Sequence, residues 1–259
     1  MLMLLPPSEG KTAPRRGRPL DLGSLSSPGL TGAREEVLDA LVGLCEGDPA
    51  TAARVLGVTA GQLSLVHANA DLRLAATARA DRVYSGVLYD ALDLAGLDAA
   101  ARRRASSRVA ITSSVFGVLR PADRVPAYRL SGSVGLPGLG SVAGHWRSHL
   151  GGAVTDLLGG GLLVDLRSGT YAAFWRPPAA LAGRVATVRV LSVAPDGERS
   201  VVSHFNKHTK GLLARALLVD GAAPRTPALL GDVLRDLGWE VETAGPTPAG
   251  TRLDVLLRA

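Results

Sequence analysis

Cysteine is nearly absent. Cys45 is the only one in 259 residues, so no disulfide can form within the chain. It sits among Val37, Leu38, Leu41, Val42 and Leu44, whose helical spacing predicts a buried thiol rather than a reactive one. No carboxylate–histidine cluster stands at ligand spacing, which leaves direct iron sequestration without residues to carry it. No metal and no cofactor are predicted. Long apolar runs are missing too. Met1–Leu5 is apolar but stops at Pro6-Pro7, with no basic segment and too few residues to cross a bilayer. These absences predict a soluble, cytoplasmic protein with no membrane partner.

Lysine and aromatic residues are scarce and unevenly placed. Of 29 basic residues only three are lysine, Lys11, Lys207 and Lys210, and the rest are arginine. A chain that drifts so far towards arginine but keeps lysine in two short stretches points to a need for ammonium there. Lysine is a compact, flexible charge whose pKa falls readily on burial. Of ten aromatic residues, nine lie between Tyr84 and Phe205, and Trp239 is the exception. The core is therefore expected to be Leu, Val and Ala. Core packing is the ordinary role of each ring, although exposed rings could stack on bases.

Composition is otherwise globular, at 46% apolar and 20% charged, with a net charge of +6 that mildly favours polyanionic partners. Residues 1–5 read as a buried strand and 13–32 as a long surface loop. Helical periodicity runs through 33–45, 50–56, 59–78 and 84–96. Val109–Ile111 and Leu162–Leu166 read as strands, and 113–140 as an irregular stretch too long for an idle loop. Residues 184–192 and 199–205 alternate about the turn Pro195–Glu198, a hairpin signal. Helices are expected at 207–218 and 226–238, and two strands around Pro246-Thr247-Pro248. No repeat or linker divides the chain. The pattern predicts an α+β (mixed α/β) fold over residues 1–259, with a mixed sheet and surrounding helices in one domain.

Gly10-Lys11-Thr12 after a strand invites a P-loop reading, but Leu5 stands where the motif needs glycine, and Pro6-Pro7 remove donors from a phosphate cradle. An anion held by Lys11 and Thr12 remains open. The pairs His145/His149 and His204/His208 have metal-compatible spacing on a helix, but no acid accompanies either, and His204 falls at a predicted strand end. In Ser113–Leu130, an apolar-Gly-apolar turn flanked by Arg120 and Arg129 could present backbone amides to phosphate, with Asp123 orienting one arginine. A rigid structural turn fits the pattern equally well. Asp165-Leu166-Arg167-Ser168 places an acid, a base and a hydroxyl at a strand's carboxyl end, and a purely structural Asp165–Arg167 arrangement is the alternative.

The segments Pro6–Thr12, Tyr84–Tyr89, Phe116–Asp123, Pro126–Leu130, Trp146, Asp165–Tyr171 and Phe205–Arg215 together resemble the YaaA peroxide stress-resistance family. They occur in the family's order and span nearly the whole chain. At its start the chain departs from the pattern, where Ser8-Glu9-Gly10 replaces a shorter alanine-containing form. The resemblance implies a bacterial cytosolic protein with an unusual α/β fold, a helix-hairpin-helix-like element and a positively charged cleft. It also implies binding to double-stranded DNA and a role in limiting damage from iron and hydrogen peroxide. By position, Phe116–Arg129 would be the hairpin element, and Lys11, Lys207, Lys210 and Arg215 would line the cleft.

The expected function is thus a DNA-binding protein of the peroxide stress response, holding duplex or structurally distorted DNA. Its expected contacts are Lys11, Thr12, Arg120, Tyr128, Arg129, Arg167, Lys207, Lys210 and Arg215. Tyr84, Tyr128 or Trp146 would stack on an unpaired base. The alternative is an enzyme acting on a nucleotide or damaged nucleic acid by lyase or phosphate-ester chemistry. Its catalytic candidates are Lys11, Asp165, Lys207 and Lys210, with Glu9, Asp90 and Ser168 in support.

Overall fold

A computed structural model describes residues 1–201 and 203–258, with the side chains of residues 203–205 outside the description. The strands are β1 (Leu2–Leu5), β2 (Ala78–Arg79), β3 (Val109–Ser113), β4 (Gly117–Leu119), β5 (Arg124–Val125) and β6 (Gly135–Leu136). They continue as β7 (Gly140–Ser141), β8 (Leu163–Asp165), β9 (Val185–Val193), β10 (Arg199–Ser200), β11 (Glu240–Thr247) and β12 (Gly250–Arg258). The longer helices are α1 (Thr31–Glu46), α2 (Pro49–Leu56), α3 (Leu63–Ala70), α4 (Ala80–Val83) and α5 (Val87–Leu92). They are followed by α6 (Ala99–Arg108), α7 (Val142–Leu158), α8 (Gly169–Ala172), α9 (Ser203–Asp220) and α10 (Pro227–Asp236).

One mixed sheet organises the chain, in the order β11-β12-β9-β8-β1-β3-β4, with β10 paired to β9. The central strands β12, β9, β8, β1 and β3 are all parallel, while β11, β4 and β10 join antiparallel. The unbroken apolar run of β1 is what a parallel strand covered on both faces requires, and every residue of β1 and of β3, Thr112 and Ser113 included, is buried. β1 sits mid-sheet, so the chain's first residues are among its most buried. The predicted mixed sheet with surrounding helices is present. The hairpin about Pro195–Glu198 is present as well, although its second arm pairs only at Arg199 and Ser200.

Three expectations change, besides the helix expected over 59–78, which ends at Ala70 and gives way to turns and to β2 at Ala78. The helix expected over 84–96 is cut short at both ends: Tyr84 is extended and Gly86 adopts φ 96°, so α5 starts at Val87, and it stops at Leu92, where Asp93 adopts φ 41°. The helix expected at 207–218 begins at Ser203, which puts His204 on α9 rather than at a strand end; its side chain lies outside the described residues.

The third change concerns Phe116–Arg129, which is not a helix-hairpin-helix. Residues 113–130 contain the end of β3, β4, β5 and turns, and no helix. Its apolar-Gly-apolar turn faces inward. Phe116, Gly117 and Val118 are buried, and a side chain at Gly117 (φ 72°) would stand 2.6 Å from the Trp146 ring. The structural turn therefore wins over the phosphate-facing one.

The long loop before α1 is tied down by Arg34. This fully buried guanidinium donates to the carbonyls of Ser26, Phe116 and Val118 at 2.7, 3.0 and 3.1 Å. Asp123 orients neither flanking arginine through its guanidinium. Its carboxylate accepts the backbone amides of Arg120 and Ser26 instead.

Candidate functional site

β1 and β8 lie side by side, with Leu4 opposite Asp165. The next central strand after β1 is β3, on one side, and the next after β8 is β9, on the other. Connections that leave adjacent parallel strands in opposite directions open a crevice at their carboxyl ends, the usual place for a ligand in such sheets. A cavity of about 640 Å³ occupies that place. Its wall is built from the loop Pro6–Gly10 after β1, the loop Leu166–Thr170 after β8, the start of α5, and Asn206, Lys207 and Lys210 of α9.

Arg167 lines the cavity, and Asp165, which does not, grips the arginine in a buried fork. Asp165 Oδ1 accepts from the Arg167 backbone N and Nε at 3.0 and 2.9 Å, and Oδ2 accepts from Nη2 at 2.7 Å. Further guanidinium donors reach the carbonyls of Tyr171 and Trp175 at 3.1 and 3.0 Å. Four of the five guanidinium N–H donors are thus spent on holding the β8 loop and α8. Two charges taken out of water persist only when they are paired and hydrogen-bonded in this way.

Lys210 stands over that fork. Only 7% of the residue is exposed, and Nζ donates one long hydrogen bond, 3.3 Å, to the Arg167 carbonyl. Burial pushes its pKa down from 10.5 to about 8, against the opposing attraction of Asp165. Its position depends on Gly211. A side chain there would run into the Leu88 carbonyl oxygen and stand 2.8 Å from Ala91 Cβ, so only glycine lets α9 close onto α5. Lys207 is exposed and lines the same cavity, one helical turn earlier.

Lys11 is built differently. Its stem is half-buried, but its ammonium is enclosed, 4.0 Å from the centre of the Tyr128 ring and 5.5 Å from that of Tyr84. It donates to the Ser8 carbonyl at 2.8 Å. Burial lowers its pKa, opposed by Tyr128 and Glu9 and aided by the Arg129 charge. The tyrosines are linked below it. The Tyr84 and Tyr128 hydroxyls lie 3.0 Å apart, Tyr128 also meets Ser113 Oγ at 2.8 Å, and Tyr89 donates to the Pro6 carbonyl at 2.7 Å. These bonds fix the β1 loop from beneath.

Lys11 faces a second cavity, of about 890 Å³, lined mostly by small apolar residues together with Tyr128 and Arg129. Glu9 and Gly10 line both cavities, and Glu9 pairs with the Arg129 guanidinium. The loop after β1 is therefore a partition between two hollows rather than one side of a single cleft.

Several predicted site residues are not brought to the cavity. Arg120 donates to the carbonyls of Ser107 and Val109, at the amino end of β3 and so at the opposite edge of the parallel strands. Arg215 caps the far end of α5 through the carbonyls of Leu92, Asp93 and Gly96. Thr12 is exposed but lines neither cavity, and its amide pairs with the Val83 carbonyl. Tyr84, Tyr128 and Trp146 are buried and cannot stack on a base. Asp90 is exposed and accepts from the Gly86 amide without lining the cavity. His145 and His149 do share a face of α7, but a His145 ring nitrogen is engaged by the Ala33 carbonyl at 3.0 Å. Among the described residues, no group of His, Cys, Asp or Glu is placed to hold a metal ion.

The cavity also holds residues that pattern reading passed over: Ser8, Ser85, Ser131 and Arg189. Ser8 and Ser85 lay inside segments that carried the resemblance, which was the available signal. Arg189 gave none, because it reads as an ordinary outward residue of an alternating strand, and its charge is answered by Asp254 at 2.7 Å.

The fold and the site define a single-domain, mixed α/β protein with a lysine-bearing, hydroxyl-lined cavity at a switch point of its sheet. The chain belongs to the family of the peroxide stress protein YaaA, whose family model matches residues 1–243. It is similar to a UPF0246 protein of Streptomyces coelicolor, 53% identical over 99% of this chain and 98% of that one. A UPF0246 protein of Corynebacterium efficiens is 46% identical over 93% of this chain and 95% of its own. Among the described residues, no helix is long and apolar enough to cross a membrane.

Proposed function

We propose that this protein acts in the peroxide stress response by binding DNA, with one nucleotide or a strand end entering the cavity between β1 and β8. The observation that carries this reading is the pairing of Lys207, exposed on the cavity wall, with Lys210, enclosed within it, three residues further along α9. Lys207 supplies a solvent-facing cation for backbone phosphate. A hollow of about 640 Å³ suits a single nucleotide and is far too small for a duplex. The serines and threonine of the two loops offer hydroxyls to a sugar. The net charge of +6 favours encounter with a polyanion, and family membership supplies the stress setting.

This reading favours distorted over intact DNA, because intact duplex has no nucleotide free to enter. Fluorescence anisotropy across a salt series, on duplex, gapped and bulged DNA, tests it. Gapped or bulged DNA should bind more tightly, and Lys207→Ala should lower the salt slope by about one. Equal affinity for all three DNAs, unchanged in the Lys207→Ala, Lys210→Ala double variant, would overturn it.

A further inference from the structure

We infer that Lys210 is a nucleophile whose amine condenses with an aldehyde-bearing sugar phosphate seated in the cavity between β1 and β8. The inference rests on the ligand site proposed above and adds a chemistry to it.

The three lysines separate on geometry. Lys207 is exposed on the cavity wall rather than enclosed. Lys11 is clamped by the Tyr128 ring and the Ser8 carbonyl, and it opens towards the other cavity. Lys210 alone has its amine enclosed in the cavity at the switch point, with a single long hydrogen bond to a carbonyl. It makes no ion pair among the described residues, since the Asp165 oxygens accept from Arg167 instead. Nothing therefore locks its charge in place. Its pKa of about 8 leaves a sizeable neutral fraction at physiological pH, which nucleophilic attack requires.

The surroundings define the class of electrophile. A primary amine forms a stable, reversible bond with a carbonyl carbon, and an aldehyde is the least hindered form. Lys207, on the same wall, matches a phosphate. Ser8, Ser85, Ser131, Ser168 and Thr170 match sugar hydroxyls. A ring-opened deoxyribose phosphate carries all three features, either as a free sugar phosphate or as an abasic site in DNA.

The step balances without oxidant or reductant. The neutral Nζ attacks the aldehyde carbon as the carbonyl π bond breaks, and the oxygen takes a proton, giving a carbinolamine. The hydroxyl then takes a proton from solvent and leaves as water, the nitrogen returns its second proton to solvent, and an imine links Lys210 to the sugar carbon.

Borohydride reduction of the full chain, incubated separately with 2-deoxyribose 5-phosphate and with an oligonucleotide carrying one abasic site, tests this inference. Mass spectrometry after proteolysis locates the adduct in the wild-type protein, so the result does not depend on a variant folding. The expected result is one adduct, on Lys210, with yield falling at least tenfold in Lys210→Arg.

An adduct on Met1, Lys11 or Lys207, or none with either probe, overturns the inference. The Met1 amine is a real competitor, because burial lowers its pKa too. If gapped DNA binds but no adduct forms, the chemistry fails while the DNA reading stands. If the free sugar phosphate is trapped on Lys210 and no DNA binds, the chemistry stands and the DNA reading fails.

Discussion

Replacing Lys210 by methionine keeps the length of the side chain and removes the buried charge, and it should make the protein more stable at neutral pH. The folded-state pKa of about 8 lies below the ordinary 10.5. Holding the ammonium in the folded protein therefore costs about 3 kcal/mol at pH values below 8. The variant escapes that cost and loses one long hydrogen bond, worth about 1 kcal/mol. A net gain of about 2 kcal/mol is expected at pH 7. Between about pH 8 and 10.5 the unfolded chain holds the proton that the folded chain has released. Wild-type stability therefore rises through that window relative to the variant, and above it the advantage of Lys210→Met disappears. Urea unfolding of both proteins from pH 6.5 to 10.5 reads the difference directly. A variant less stable than wild type at pH 7, or a difference that ignores pH, would refute the claim that this amine is held at a cost. A site residue that destabilises its own fold is a mark of function rather than packing.

Asp165→Asn removes the partner of a buried guanidinium, and urea unfolding at pH 7 should show a loss of about 3–5 kcal/mol; a loss below about 1 kcal/mol would mean the fork is not load on the fold. Gly211→Ala should push α9 off α5, lowering stability by about 1–3 kcal/mol and weakening gapped-DNA binding in anisotropy, although Gly211 lines neither cavity. Arg120→Ala and Arg215→Ala should each cost stability through lost carbonyl partners, yet leave DNA affinity and its salt slope unchanged. A drop in slope in either would return those arginines to the interface.

Part of the site could be read along the chain. The scarcity of lysine singled out Lys207 and Lys210, and strand-end logic singled out Asp165 and Arg167; the lysines and Arg167 line one cavity, and Asp165 holds Arg167 in place. Charge type alone did not tell Arg120 and Arg215 from the others. An arginine that caps three carbonyls and one that waits for phosphate look the same in sequence, since both are surface-compatible cations. The apolar-Gly-apolar turn misled for a similar reason. A glycine with positive φ is needed whether the turn presents amides outward or tucks beneath a tryptophan, and only the packing of Trp146 on Gly117 decides.

By itself the sequence determined the apolar strands, the hairpins, the mixed fold and the family, because these follow from local periodicity, turn chemistry and ordered motifs. Tertiary structure decided the rest. It placed β1 between β3 and β8, divided the lysines between two cavities at the Glu9–Gly10 partition, and buried the tyrosines that pattern reading left free to stack. It also gave Lys210 its lowered pKa, since desolvation depends on which elements close over a side chain. Burial and pairing are properties of contacts between residues far apart in the chain, and no local pattern encodes them.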